Sequence, residues 1–457
     1  MTMRIIAAAV LLLAACGGGA PHDGTKTETN SASHYDKAGS GHAAKSDAAQ
    51  IIGEIAEEFV RLGLELGTYD KAYVDAYHGP AEWREAATAS PRSLDEIIDG
   101  YNGLIDRLGA DVSDPPQDLA DRVDQLTKQI IAGRTRAEMA MGRRFSFDEE
   151  TRLLYDAVAP QYDIAEFDAA LVEIDALLPG DGALSERVDA FRESLAIPKD
   201  RLSDVFDAAI AECRRRTLEY YSLPDGEGFD LGYVTDKPWS GYNWYQGDYV
   251  SLIEINTDLS IIIDRAVDLG CHEGYPGHHT WNVLVERDFL RKNGWIEYAM
   301  FPLFSPQALI GEGTANYGIE LAFPDGEKTA FDRDVLFPLA GLDPTKAQTL
   351  ATLNKARRKL SHARNHIARE YLDGRIDRET AIAMSTKYGL SSRARAEQSV
   401  TFIETYRGYV LNYNLGQDLV AAYIDATADE AGGRWAAFEN LLTVPLSASD
   451  LQITSAD

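Results

Sequence analysis

From about Ala48 onward, apolar residues recur at spacings of three and four, the period of a helix with one buried face. Ile51, Ile52, Ile55, Phe59, Leu62 and Leu66 form the first such stripe. Ser146 with Glu149, ahead of Leu153 and Leu154, reads as a capping box that satisfies free N–H groups at a helix start. Asp343 and Pro344 open a run to about Leu372 that stops at Gly374, and Asp377 to Tyr388 ends the same way at Gly389. One stretch breaks the period. Tyr242 to Asp258 is aromatic and β-branched, and Ile253, Ile255 and Thr257 alternate with Glu254 and Asn256, which predicts a short strand. No internal repeat and no second linker interrupts residues 48–457. The pattern predicts a mainly α fold: one large helical unit over 48–457, a cleft walled by the region before about residue 225, and a short strand or small sheet beside it.

The first residues are different in kind. Arg4 precedes an apolar run from Ile5 to Ala15 that is too short to span a bilayer. Leu13, Ala14, Ala15 and Cys16 together resemble a bacterial lipoprotein cleavage box. That resemblance implies a signal peptide over 1–15, cleavage before Cys16 and lipid on its thiol and new amine. Gly17 in place of Asp implies the outer membrane, with the protein facing the periplasm. Residues 16–47 are rich in Gly, Ser, Ala and Thr with few large apolar groups, so they read as a flexible tether whose His22, His34 and His42 are solvated. No later segment has the ~18 unbroken apolar residues of a membrane helix. Membrane contact is therefore expected through the lipid alone.

Charge narrows the partners. With 44 basic and 73 acidic residues the formal net charge is −29, which repels nucleic acid and anionic headgroups. After Cys16 only Cys213 and Cys271 remain. An oxidising compartment permits a disulfide between them, although a small buried thiol is the simpler reading of Cys271.

The chemistry concentrates in His272-Glu273-Gly274-Tyr275-Pro276-Gly277-His278-His279. Neutral imidazoles hold a catalytic zinc, and a glutamate beside them handles the proton of the hydrolytic water. The spacing departs from H-E-x-x-H, in which both His share a helix face. His278 lies six residues after His272 and His279 seven. On a regular helix the sixth residue faces nearly the opposite way, and the seventh is about 10 Å along the axis. Pro276, Gly274 and Gly277 allow the helix to be interrupted. A two-residue bulge returns His278 to the productive face, whereas His279 would need three residues looped out. The smaller bulge makes His278 the second ligand and His279 a supporting group next to the ligands. A third ligand is needed. Glu312 sits between Gly311 and Gly313 at the head of an apolar run, where a carboxylate is costly unless paired or bound to metal. Asn316 and Glu320, one and two turns on, can each steady a ligating imidazole.

With Gly311-Glu312-Gly313 and Tyr317, the block His272, Glu273, Pro276, Gly277, His278 and His279 resembles a bacterial family of predicted zinc peptidases. Its marks are an HExxPGHH motif and a later GEG, and it is distantly similar to all-helical gluzincin oligopeptidases such as thimet oligopeptidase and angiotensin-converting enzyme. The resemblance covers about Tyr242 to Leu321. Members often carry Trp where this chain has Thr314, and the C-terminal part departs from their pattern. The resemblance implies a gluzincin-like helical fold, a Zn²⁺ held by His272, His278 and Glu312, and a peptide substrate whose backbone pairs with an edge strand before the metal helix. It also implies an oxyanion donor near the C-terminal end. Tyr409 and Tyr413, four residues apart, are the candidates, with aromatic core packing as the alternative for each. His362 and His366 offer a weaker second metal pair. One of Arg357, Arg358, Arg364 and Arg369 could hold a substrate's terminal carboxylate, as a bidentate fork can. Two other readings follow from the same residues: a zinc hydrolase of non-peptide amides or esters, and a ligand-binding lipoprotein without turnover. Glu273 argues against the last, because capture needs no base beside the ligands.

Overall fold

The computed structural model describes residues 47–237, 240–428 and 431–452. Cys16, the apolar run over 5–15 and the tether up to residue 46 lie outside these. The fold is mainly α. Ile52, Ile55, Phe59, Leu62 and Leu66 are fully buried along α1 (Asp47–Tyr69), which packs on α2 (Leu94–Asp111) and α3 (Ala120–Ala140). The capping box at Ser146 is formed at the head of α4 (Phe147–Tyr155): Glu149 N–H donates to Ser146 Oγ at 3.3 Å and Ser146 N–H to Glu149 Oε2 at 3.1 Å. Further on, α5 (Leu202–Leu218) leads into the sheet.

Where one strand was expected over Tyr242–Asp258, there are two. Strand β1 (Val74–Tyr77) pairs with the distant β5 (Met300–Pro302). The larger sheet has the order β2 (Gly228–Val234), β4 (Val250–Asn256), β3 (Gly241–Gly247), with β2 parallel and β3 antiparallel to β4. The β3–β4 turn places Asp248 and Tyr249 at φ 54° and 66°, an unfavourable region for tyrosine. Glu286 compensates: its two carboxylate oxygens accept from Asp248 N–H at 3.2 Å and Tyr249 N–H at 3.3 Å.

The histidine-rich segment follows as α6 (Arg265–Leu269), a wide π turn over Gly270–Gly274, and α7 (His278–Val285). Then come α8 (Pro306–Ala322), α9 (Ala347–Arg358), α10 (Ala363–Leu372), α11 (Arg378–Gly389), α12 (Arg393–Tyr406) and α13 (Leu415–Thr427). The run expected from Asp343 to Leu372 is therefore broken. Between α9 and α10 the backbone tightens to bonds three residues back, such as Leu360 N–H to Arg357 O at 2.9 Å and Ser361 N–H to Arg358 O at 3.0 Å. The Ser361 carbonyl accepts both the Arg364 N–H at 3.3 Å and Asn414 Nδ2 at 2.9 Å. The stop expected at Gly389 falls one residue later, with Leu390 at φ 47°.

Two apolar clusters meet at the motif. One gathers α1–α4 with Trp281 and Leu284 of α7 and Leu309, Ile310 and Tyr317 of α8. The other joins Val205, Phe206 and Ala209 of α5 to Ile253 and Ile255 of β4 and to Val267 and Leu269 of α6. The motif helix is thus gripped from both sides.

Candidate metal centre

The imidazoles converge because the helix is broken between them. Tyr275 N–H reaches back five residues to Gly270 O at 3.4 Å, and Gly277 N–H reaches Cys271 O at 2.9 Å. The chain leaves the helix at Tyr275, crosses a cis Tyr275–Pro276 bond and restarts α7 at His278. The excursion is larger than a two-residue bulge. A Cβ on Gly277 would stand 1.9 Å from the His272 carbonyl oxygen, so no other residue fits there. The His272 and His278 rings end with centroids 4.7 Å apart. Gly313 has a similar role one helix away. A Cβ there would lie 2.5 Å from the Gly416 carbonyl oxygen, so the glycine lets α13 close on α8 beside Glu312.

One ligand atom each from His272, His278 and Glu312 lies within 4.8 Å of the others. Nε2 of His272 and of His278 are 3.6 and 3.9 Å from Glu312 Oε2. Donors around a tetrahedral zinc are roughly 3.3 Å apart given bonds near ~2.0–2.1 Å, so a slight contraction would seat the ion. Glu312 Oε2 is buried without a hydrogen-bond partner, a costly state for a carboxylate oxygen unless a cation takes it. The donor set fits zinc: two imidazoles and a carboxylate, with room for a fourth position on the cleft side. Burial holds the His272 ring well below its ordinary range, helped by the nearby His278 and Arg265, and holds His278 at about 4. Both are therefore neutral at pH 7, the form that coordinates metal.

The supporting groups divide. Asn316 Oδ1 accepts from His272 Nδ1 at 3.1 Å, and Asn316 Nδ2 donates to the Tyr413 carbonyl at 2.9 Å. This fixes the ring so that Nε2 faces Glu312. Tyr409 donates its hydroxyl to Glu312 Oε1 at 3.0 Å; in this arrangement it orients the carboxylate rather than waiting for an oxyanion. The Tyr413 ring stands 5.7 Å from that of Tyr409 and borders the same cleft. Glu273 also borders the cleft. Burial, then the negative charge of Glu312, pushes its carboxyl up to about 8, and burial raises Glu312 to about 7. A bound dication would pull both down.

Other expected positions are corrected. Glu320 does not reach an imidazole; it pairs with Arg358 and accepts from Gln417 Nε2 at 3.1 Å, because two turns of α8 carry it past the site. His279 is fully buried and touches no ligand. Its Nδ1 meets Ser251 Oγ at 2.8 Å and its Nε2 meets Glu227 Oε2 at 3.1 Å, since the residue after His278 must turn about 100° away. Cys271 is no free thiol: it bonds to Cys213, tying the π turn to α5. The two cysteines left after Cys16 were the clue. His362 lies 3.2 Å from Asp418 and stacks on Tyr162, while His366 lies against Phe167. Among the described residues, only His272, His278 and Glu312 cluster as metal ligands do. Sequence reasoning missed Glu227, Ser251 and Asn243. The last donates Nδ2 to the Glu273 carbonyl at 2.7 Å and so holds that backbone to β3. None of the three carried a spacing signal.

The cleft has a volume of about 2380 Å³ and is bordered by β3 residues from Gly241 to Tyr245, by the site and by α9 and α10. No protein-family model matches the chain, and no curated protein matches it. Its fold is similar to that of a lipoprotein from Colwellia psychrerythraea, at 17% identity and TM-score 0.50 over 87% of this chain and 74% of that one. It is also similar to a lipoprotein of unknown function from Shewanella oneidensis, at 12% identity and TM-score 0.50 over 89% of this chain and 99% of that one. An M32 carboxypeptidase from Deinococcus radiodurans R1 aligns at 14% identity and TM-score 0.44 over 87% of this chain and 89% of that one, too weak a likeness to carry anything over. At these identities the likeness is one of fold alone. Among the described residues no helix is long and apolar enough to cross a membrane.

Proposed function

We propose that residues 48–457 form a zinc-dependent hydrolase, a metallopeptidase that cleaves short peptides, held at the cell envelope by lipid on Cys16. The observation that carries this reading is the bare, buried Glu312 Oε2 between the two imidazole Nε2 atoms. His272, His278 and Glu312 would hold the ion. Bound zinc supplies Lewis acidity there. Asn316 and Tyr409 keep the donors in register, and Glu273 accepts a proton from the attacking water and returns it to the leaving amine. In the sheet order, β3 is an edge strand that borders the cleft. An extended peptide can add to such an edge through its main chain alone, which favours peptides over small esters. Tyr413 is the remaining candidate for a donor to the developing oxyanion.

The test is metal analysis of the domain together with mass-spectrometric readout of a peptide library, in wild type and Glu273→Gln. The expected result is one zinc in both proteins and cleavage only in wild type. Cleavage of esters but not of peptides would move the reading to the non-peptide hydrolase. Zinc without any turnover would leave a binding protein.

A further inference from the structure

Several of the cations bordering the cleft are neutralised. Arg358 pairs with Glu320, Lys359 with Glu173, Arg192 with Asp264 at 3.5 Å, and Lys328 with Asp332 at 3.2 Å. Arg369 is spent in the interior on Asp148 at 2.8 Å and on the carbonyls of Pro160 and Ala159. Arg357 also borders the cleft without an ion pair among the described residues, but Asp264 and Asp189 act on it electrostatically; Arg364, on α10, has no such carboxylate among the described residues. Its guanidinium makes no hydrogen bond or ion pair among the described residues, and its Nε is buried without a partner. The chain carries 73 acidic residues, yet among the described residues none pairs with this guanidinium. Instead the guanidinium lies over the Phe402 ring at 4.5 Å, and Phe402 packs on Tyr406 at 4.7 Å between centroids. Stacking of this kind fixes the plane of the fork and leaves its edge able to bind an anion in bidentate fashion.

A half-buried cation without a counter-charge carries a desolvation cost, and its place suggests what offsets it. Arg364 borders the same cleft as the ligands. The Tyr413 phenol interacts with it electrostatically, the Tyr413 ring stands 5.7 Å from that of Tyr409, and Tyr409 donates to Glu312 at 3.0 Å. The cation and the metal ligands are thus separated by two aromatic rings. A peptide residue spans about 3.3–3.6 Å when extended, so only a few residues fit between them.

We propose that Arg364 anchors the free α-carboxylate of a peptide substrate, so that a short C-terminal fragment is released. This rests on the peptidase reading and adds the substrate class to it: peptides with an unblocked C-terminus. Arg364 is a binding residue in this scheme and touches no reacting atom.

The test uses an N-acetylated alanine pentapeptide in two forms, one ending in the free acid and one in the carboxamide. Calorimetric titration into zinc-loaded Glu273→Gln protein measures binding without turnover. The acid is expected to bind roughly 10- to 100-fold tighter than the amide, the range for a hydrogen bond to a charged group. With Arg364→Met added, the acid-to-amide ratio should collapse to about one; Arg364→Lys, which keeps charge but not the fork, should retain part of it. Thermal unfolding checks that both variants are folded. Equal binding of acid and amide, or a preference that survives Arg364→Met, overturns the anchor. Turnover by wild type is the separate control. If both forms are cut and bind equally, only the anchor fails; if neither form nor any library peptide is cut, the peptidase reading fails and takes the substrate assignment with it.

Discussion

His278 and His279 are neighbours in the chain and opposites in the molecule. His278 faces the cleft, where it meets His272 and a carboxylate oxygen that nothing else satisfies. His279 faces inward and completes a closed chain from Ser251 through the ring to Glu227. By residue type the inner set is the more suggestive, since a serine, a histidine and a glutamate in hydrogen-bond series are the parts of a hydrolytic triad. It is nevertheless sealed. Ser251 is 1% exposed and His279 0%, and Glu227 is also engaged by Tyr275 at 2.7 Å and Arg214 at 2.6 Å. Burial tends to raise the Glu227 carboxyl, but hydrogen bonds from His279, Tyr275 and Arg214 outweigh it and hold the group at about 2. An ionised carboxylate only accepts, so His279 Nε2 is the donor to Glu227 while Nδ1 pairs with the Ser251 hydroxyl. The two clusters show that composition does not separate a candidate metal centre from a brace. Unsatisfied atoms beside open volume do.

The comparison breaks first on catalysis. Glu273→Gln should lower kcat by about 10²–10⁴, the usual contribution of a general base, with zinc content unchanged. Ser251→Ala should leave kcat within about threefold, because no substrate reaches it. Steady-state kinetics on one peptide with both variants decides the matter. Loss of turnover in Ser251→Ala with native zinc content and native Tm would turn the assignment of the two clusters around.

Metal and stability separate them next. His278→Ala should lose zinc on dialysis while the stripped protein unfolds near the wild-type midpoint. His279→Ala should keep zinc but cost about 2–3 kcal/mol, since it leaves Glu227 and Ser251 buried without their partner. Plasma mass spectrometry for zinc and urea unfolding of the stripped proteins read out each half.

Acid and base act on the clusters in opposite senses. Glu227 has a folded pKa of about 2 against about 4.3 in an unfolded chain. Its stabilisation is therefore complete above about pH 4.3 and is lost as pH falls toward 2. Glu312 and Glu273, raised by burial to about 7 and about 8, have the reverse sign. Without metal the folded state binds more protons than the unfolded one above about pH 4.3, so stability declines from there to about pH 8. Metal-stripped Glu312→Gln should flatten part of that decline, and Glu227→Gln should flatten only the acid limb. Urea midpoints at a series of pH values test both, and an unchanged neutral-pH slope in stripped Glu312→Gln would contradict the burial argument for that carboxylate.

What the sequence allowed follows the same division. The stripe on α1, the capping box at Ser146 and the helical character of the whole were legible because they depend on residues within two turns of each other. Among the donors, His272, His278 and Glu312 could be named because a zinc site limits the residue types and the bulge arithmetic favours His278. The role of Tyr409 could not be read. Its hydroxyl meets Glu312 across a sequence separation of 97 residues, and a phenol that orients a carboxylate looks the same in sequence as one that awaits an oxyanion. Glu320 failed for a related reason. A helical period places it on roughly the correct face, but Arg358 and Gln417, from other elements, pull it away. The Asp248–Tyr249 turn was invisible because tyrosine is not a usual left-handed choice; the Glu286 carboxylate that makes it tolerable comes from further along the chain.

The smallest effect tests that orienting role. Tyr409→Phe removes one hydrogen bond to Glu312 and leaves the ring packed against Tyr155, Phe304 and Tyr413, so stability should change by less than about 1 kcal/mol. If the hydroxyl holds Glu312 in the coordinating rotamer, zinc affinity should fall roughly tenfold, the low end for a lost support to a ligand. At saturating zinc, kcat should then return to near the wild-type value. If the hydroxyl instead moves to the oxyanion during the reaction, affinity should stay put and kcat should fall by about 10²–10³ at every zinc concentration. Competition with a chromogenic chelator gives the affinity, and kinetics across a zinc series gives the rate. A loss of rate that added zinc does not restore would reassign Tyr409 from ligand support to transition-state donor and leave Glu312 to be held by the metal alone.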